Sequence, residues 1–68
     1  MRPVETGQLR RWMLPHESLA GAFVIVGEDL DGTRIYGTTC WWVLHDDCVA
    51  SWTERALLNQ SEVLDETG

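Results

Sequence analysis

Apolar and polar positions along the chain form short runs, and no long helical stripe repeats among them. Ala22 to Glu28 reads AFVIVGE. Its β-branched Val24, Ile25 and Val26 predict the strongest single strand, buried on at least one face. Cys40 to Trp52 reads CWWVLHDDCVASW, two apolar and aromatic runs around a short acidic turn. That pattern predicts a β-hairpin with arms Thr38–Leu44 and Cys48–Thr53. Three of the four tryptophans and both cysteines lie within it, so the hairpin is expected to supply much of the core.

The remaining stretches are read around these two. Leu9 and Arg11 alternate weakly against Arg10 and Trp12, which predicts a first short strand over Gln8–Trp12. Met13 to Gly21 contains Pro15 and the polar His16-Glu17-Ser18, and reads as a loop with at most one helical turn. Asp29-Leu30-Asp31-Gly32 ends in Asp-Gly, a tight-reversal signal. It predicts a second hairpin leading into a strand over Thr33–Tyr36. The same Asp-x-Asp-Gly is part of a calcium-loop pattern, but the remaining ligand positions and the closing glutamate are absent. Gly37 is expected to mark a sharp bend. Glu54 to Asn59 has good helix formers for about one and a half turns, predicting a single tight turn. Ser61 to Asp65 reads as a closing strand. The expected organisation is a flexible N-terminal segment (1–7), one domain (8–65) and a frayed tail (66–68).

Length tightens this picture. A domain of 68 residues buries only about 60% of the surface its unfolded chain exposes, so stability is expected to be marginal or shared with a partner. Eleven acidic residues against five basic ones give a net charge of −6, and every basic residue is arginine. Such a chain is poorly suited to holding phosphate backbones, so no direct nucleic-acid contact is expected. An acidic surface can meet a basic partner or mimic a nucleic acid, although solubility accounts for it equally. No apolar run exceeds the five residues of Ala22 to Val26, far below the roughly 20 needed to cross a bilayer. The first twelve residues also lack the apolar core of a signal peptide.

Register decides which tryptophans are buried. A three-residue loop at His45–Asp47 sets Leu44 opposite Cys48, so one face carries Cys40, Trp42, Leu44, Cys48, Ala50 and Trp52. The other face then shows Trp41, Val43, Val49, Ser51 and Thr53. A two-residue loop would exchange Trp41 for Trp42 in the core. In the preferred register Trp41, Val43 and Val49 form an outward apolar patch with Trp12 and Tyr36 nearby, a candidate partner-binding surface. The competing reading has the Met13–Gly21 loop folding over Trp41.

The cysteines invite a disulfide. In that register they sit four rungs apart, about 14 Å at roughly 3.4 Å per residue, beyond the reach of a bridge. Two free, buried thiols are expected, as suits a reducing cytoplasm. Cys40, His45 and Cys48, with His16, Asp46 or Asp47, contain zinc-ligating types but no tight Cys-x-x-Cys pair, so no metal or other cofactor is expected. His16-Glu17-Ser18 and His45-Asp46-Asp47 contain catalytic residue types. Neighbours in a loop rarely point at one another, and so short a chain has little room for a ligand cleft of about 300 Å³ or more. An enzyme is not expected.

The order of elements is similar to the small Src-homology-3-like or Tudor-like barrels, in which five strongly bent strands wrap one core and a short helical turn precedes the last strand. Within residues 8 to 65, the hairpin Val43-Leu44-His45-Asp46-Asp47-Cys48-Val49-Ala50-Ser51-Trp52 resembles the Val-Leu-Trp-x-Asp-Gly-x-x-Ser-Trp hairpin of short, mostly uncharacterised bacteriophage proteins. The resemblance implies an all-β, five-stranded Src-homology-3-like barrel with one helical turn before the last strand. It also implies a non-enzymatic protein interaction module: a phage-encoded accessory or virion-associated protein, in the host cytoplasm or the virion, binding a protein partner or itself. The alternative function is an acidic inhibitor that occupies a basic nucleic-acid-binding host protein. Two departures stand out, His45 in place of tryptophan and Cys48 in place of glycine. If that glycine serves positive φ, cysteine there would be costly and the turn would differ in type or length.

Overall fold

The computed structural model describes residues 3–13 and 20–64. Among them the chain forms strands β1 (Leu9–Trp12), β2 (Ala22–Glu28), β3 (Cys40–His45), β4 (Cys48–Thr53) and β5 (Ser61–Val63). Helix α1 (Leu30–Tyr36) lies between β2 and β3, and helix α2 (Glu54–Gln60) between β4 and β5. All strand pairings are antiparallel, in the order β4-β3-β2-β1-β5. The fold is thus mostly β, as expected, but the sheet is not closed and two helices accompany it. The His16-Glu17-Ser18 segment and the tail at 66–68 lie outside the described residues.

The largest correction concerns residues 30–36, expected as a turn and a strand and found as a helix. Asp29 is the reason. Its extended backbone (φ −90°, ψ 92°) ends β2, and its carboxylate accepts the Gly32 N–H at 3.0 Å, an N-cap that starts α1. The second carboxylate oxygen accepts the Ser51 hydroxyl at 2.8 Å, tying the helix start to β4. A helix is closed by Gly37 at φ 71°, whose N–H donates to the Thr33 carbonyl at 3.0 Å. Asp29 N–H to Cys40 O (2.8 Å) and Cys40 N–H to Thr33 Oγ1 (2.9 Å) bring the chain back to the sheet.

α2 is seven residues long rather than a single turn. Thr53 caps it, its hydroxyl accepting the Ala56 N–H at 3.2 Å. Leu57 is fully buried and Leu58 partly so, against a core of Val4, Trp12, Phe23, Ile25 and Val43, joined by Trp41 and Trp52. Trp12 stacks between Phe23 (centroids 4.9 Å apart) and Trp52 (4.7 Å). The leading segment, expected to be loose, is tied down over residues 3–7. Val4 belongs to the core, and the Gly7 N–H donates to Ile25 O at 2.7 Å.

The C-terminal end of α2 has no glycine cap. Arg10, buried on the core face of β1, takes that role: its Nη1 donates to Leu57 O (3.2 Å), Ser61 O (3.4 Å) and Ser61 Oγ (3.0 Å), while its Nε donates to Gln8 Oε1 (2.6 Å). One side chain thereby satisfies carbonyls the helix end leaves open.

Candidate functional site

The hairpin turn sets the geometry of the exposed face. Its loop has two residues, Asp46 (φ 51°) and Asp47 (φ 63°), so His45 pairs with Cys48, Leu44 with Val49, Val43 with Ala50 and Trp41 with Trp52. Two consecutive positive φ values are the type I′ pattern, whose twist matches a two-residue hairpin and which Asp tolerates better than most residues. The positive φ falls on the aspartates and not on Cys48, so cysteine in place of glycine carries no backbone strain.

This register corrects the expected one, and Trp41 changes places with Trp42. Val43 is 1% exposed, at the centre of the core. Trp41 is half-buried against the core, with its indole N–H donating to Glu54 Oε1 at 3.2 Å. Trp12 is buried between two aromatic rings. Of the five expected partner-binding residues, Val49 and Tyr36 are therefore exposed while Trp41, Val43 and Trp12 face inward. Tyr36 lies on α1, beside a groove of about 410 Å³ shared with Cys40, Ser51, Trp52, Thr53 and Ala56.

What the exposed face carries instead follows from the pairings. Leu9 pairs with Val24, Val24 with Leu44, and Leu44 with Val49. Leu64, just past β5, donates its N–H to Leu9 O at 2.9 Å. Leu64, Leu9, Val24, Leu44 and Val49 thus make one apolar row across all five strands, on the side of the sheet opposite α2. Beside it lies Trp42, and a β-bulge between Ile25 and Gly27 adds Val26. Val24, Val26, Trp42, Leu44 and Val49 are 36–57% exposed. α1 meets this side near Asp29, Ser51 and Cys40, and its own Leu30, Ile35 and Tyr36 are also solvent-exposed. Charge enters at the margin: Arg11 pairs with Glu62 at 3.3 Å across β1 and β5, and Arg34 with Asp31 at 2.8 Å on α1.

The polar candidates are dispersed. His45 Nε2 is 2.7 Å from Ala20 O, and the Asp29 carboxylate is committed to Gly32 and Ser51. Cys40 is buried and Cys48 exposed, both free, at opposite ends of the hairpin. The expectation of two buried thiols therefore fails for Cys48, because it ends an edge strand beside the turn. Among the described residues, no group of three or more His, Cys, Asp or Glu side chains could hold a metal ion, and no helix is long and apolar enough to cross a membrane. No family model, curated protein or solved structure matches the chain.

The residues missed by sequence reasoning are Val24, Val26, Trp42 and Leu44. Their signal is present: AFVIVGE and CWWVL are apolar at successive positions, so each strand carries apolar side chains on both faces. With one face packed under α2, the other had to be apolar too.

Proposed function

We propose that the chain is a non-enzymatic interaction module whose apolar sheet face docks a protein partner. The supporting observation is the row Leu64, Leu9, Val24, Leu44 and Val49 with Trp42 and Val26 beside it: contiguous apolar surface on a small chain marks an interaction site more often than it marks waste. Trp42, beside the row, has the character of a binding hot spot, a large rigid side chain that loses little entropy when covered. The likeness of the Val43–Trp52 hairpin to those of short phage proteins supports a phage-encoded accessory or virion-associated role. The strand meander with a helix before the last strand supports kinship with the Src-homology-3-like barrels.

The test is a photo-crosslinking amino acid at position 44, with position 46 in the turn as the control. A partner captured at 44 is purified, and its affinity is measured for the parent chain and for a Trp42→Ser/Leu44→Ser variant. Loss of at least about tenfold is expected, since burying one such aromatic contributes over 1 kcal/mol at an interface. Equal binding by the double variant, or capture no stronger at 44 than at 46, would remove the face from consideration.

A further inference from the structure

The apolar face is bordered by free charge of one sign. Leu44 and Val49 are paired one rung from the turn, so Asp46 and Asp47 stand at that end of the row, both exposed. No hydrogen bond or ion pair among the described residues takes up either carboxylate. The exposed cations at the margin are already engaged, Arg11 by Glu62 and Arg34 by Asp31, while Arg10 is buried and Arg55 belongs to α2 on the opposite side. Among the described residues this side therefore offers free negative charge and no free positive charge.

The backbone narrows the kind of occupant. β1, β2 and β3 have sheet neighbours on both sides, so the main chain beneath the row is already paired and contact must come from side chains. A strand or loop laid on such a surface would bury unpaired N–H and C=O groups, whereas a helix satisfies its own. The inner face holds a precedent: α2 leaves the end of β4 and reaches the start of β5, at opposite edges of the sheet, and so crosses the strands with Leu57 buried against the core. Five strands spaced by about 4.8 Å make the outer row about 19 Å long, the length of roughly 13 helical residues. Area points the same way. The exposed parts of Val24, Val26, Trp42, Leu44, Val49 and Leu64 amount to about 500 Å², short of the roughly 800 Å² that each side of a standard protein interface buries.

We infer that the occupant is an amphipathic helix of a basic protein, with apolar residues at i, i+3, i+4 and i+7 on the row and lysine or arginine over Asp46 and Asp47. The inference rests on the apolar-face reading and adds the chemistry of the partner. A second copy fits poorly, because it brings the same unpaired acids and sets one net charge of −6 against another.

The experiment is isothermal titration calorimetry of the full chain with three peptides of about 18 residues. One places leucine and lysine at the spacing of an amphipathic helix, one places leucine and glutamate at the same spacing, and one alternates leucine and lysine strictly. The first is expected to bind at least about tenfold more tightly than either of the others, and to weaken at least about tenfold as salt rises from about 0.05 to about 0.5 M. Asp46→Asn/Asp47→Asn keeps residues that tolerate positive φ, and its fold is checked by circular dichroism. It should weaken binding of the first peptide about fivefold by removing two exposed pairs. Equal affinity for the glutamate or the alternating peptide, an affinity indifferent to salt, or a folded asparagine variant that binds as the parent does overturns the inference and leaves capture at position 44 to judge the face separately. Binding of the first peptide by Trp42→Ser/Leu44→Ser at parent affinity removes the face and the inference together. A parent chain that sediments as a dimer, with the dimer lost in that variant, assigns the face to a second copy and also overturns the inference.

Discussion

Removing the Asp29 carboxylate tests how the chain holds α1. The group is 7% exposed and accepts two hydrogen bonds, from the Gly32 N–H at 3.0 Å and the Ser51 hydroxyl at 2.8 Å. Loss of an N-cap costs about 1 kcal/mol, and loss of a hydrogen bond to a charged group about 1.5–3 kcal/mol. Two effects reduce the sum: Ser51 is exposed and turns to water, and the chain no longer desolvates a carboxylate. Asp29→Ala is therefore expected to cost about 2 kcal/mol, a large share of the roughly 3–10 kcal/mol available to a domain of this size. The thermal midpoint should fall by about 8–16 °C. Asp29→Asn keeps an acceptor and should lose about half as much.

Gly32→Ala sharpens the test, because two effects oppose each other. Alanine is favoured over glycine inside a helix by about 1 kcal/mol. A Cβ on Gly32, however, would sit 2.9 Å from Asp29 Cγ, closer still to Oδ2, and 3.3 Å from Cys40 Cβ. The carboxylate would have to leave its cap and its bond to Ser51, so the variant is expected to lose about 1–2 kcal/mol net. Urea unfolding gives the magnitudes, and hydrogen exchange at the Gly32, Thr33 and Gly37 amides reports whether α1 opens first. A Gly32→Ala chain more stable than the parent, or an Asp29→Ala chain within about 0.5 kcal/mol of it, would refute the reasoning.

Two further outcomes check the hairpin. Val43→Ala opens a cavity in the core and should cost about 2–3 kcal/mol in urea unfolding, whereas Val49→Ala should stay within about 0.5 kcal/mol; reversed magnitudes would mean the other register. In the native protein a thiol reagent should modify Cys48 rapidly and Cys40 only on unfolding, which counting modified sites by mass spectrometry would show.

The strands were legible where composition and boundaries agreed. β2 runs over Ala22–Glu28 as its β-branched residues indicate, and β4 over Cys48–Thr53. The hairpin's inner face was not legible, because CWWVL offers an apolar set to either side. Hydrophobicity does not separate Trp41 and Val43 from Trp42 and Leu44, so the backbone of Asp46 and Asp47 decides. Asp29-Leu30-Asp31-Gly32 was misread for a related reason. Asp-Gly favours a reversal locally, but an aspartate three residues before a glycine is also an N-cap, and the bond from Ser51 in a distant strand tips the balance. Arg10 gave no sign in the sequence that it would close a helix 47 residues away. Of the candidate site, Val49 and Tyr36 were anticipated as exposed. The row that crosses all five strands could emerge only once the pairings were known.

The two-residue turn also bears on how this chain can vary by descent. A codon gained or lost between His45 and Cys48 changes only the length of the loop, because the arms can keep their pairing, whereas one gained or lost inside either arm exchanges interior for surface along the rest of that arm. Gain of two codons within an arm preserves the parity of its faces. Lineages carrying this hairpin should therefore differ in turn length more readily than in arm length, with odd changes inside an arm accompanied by a compensating bulge.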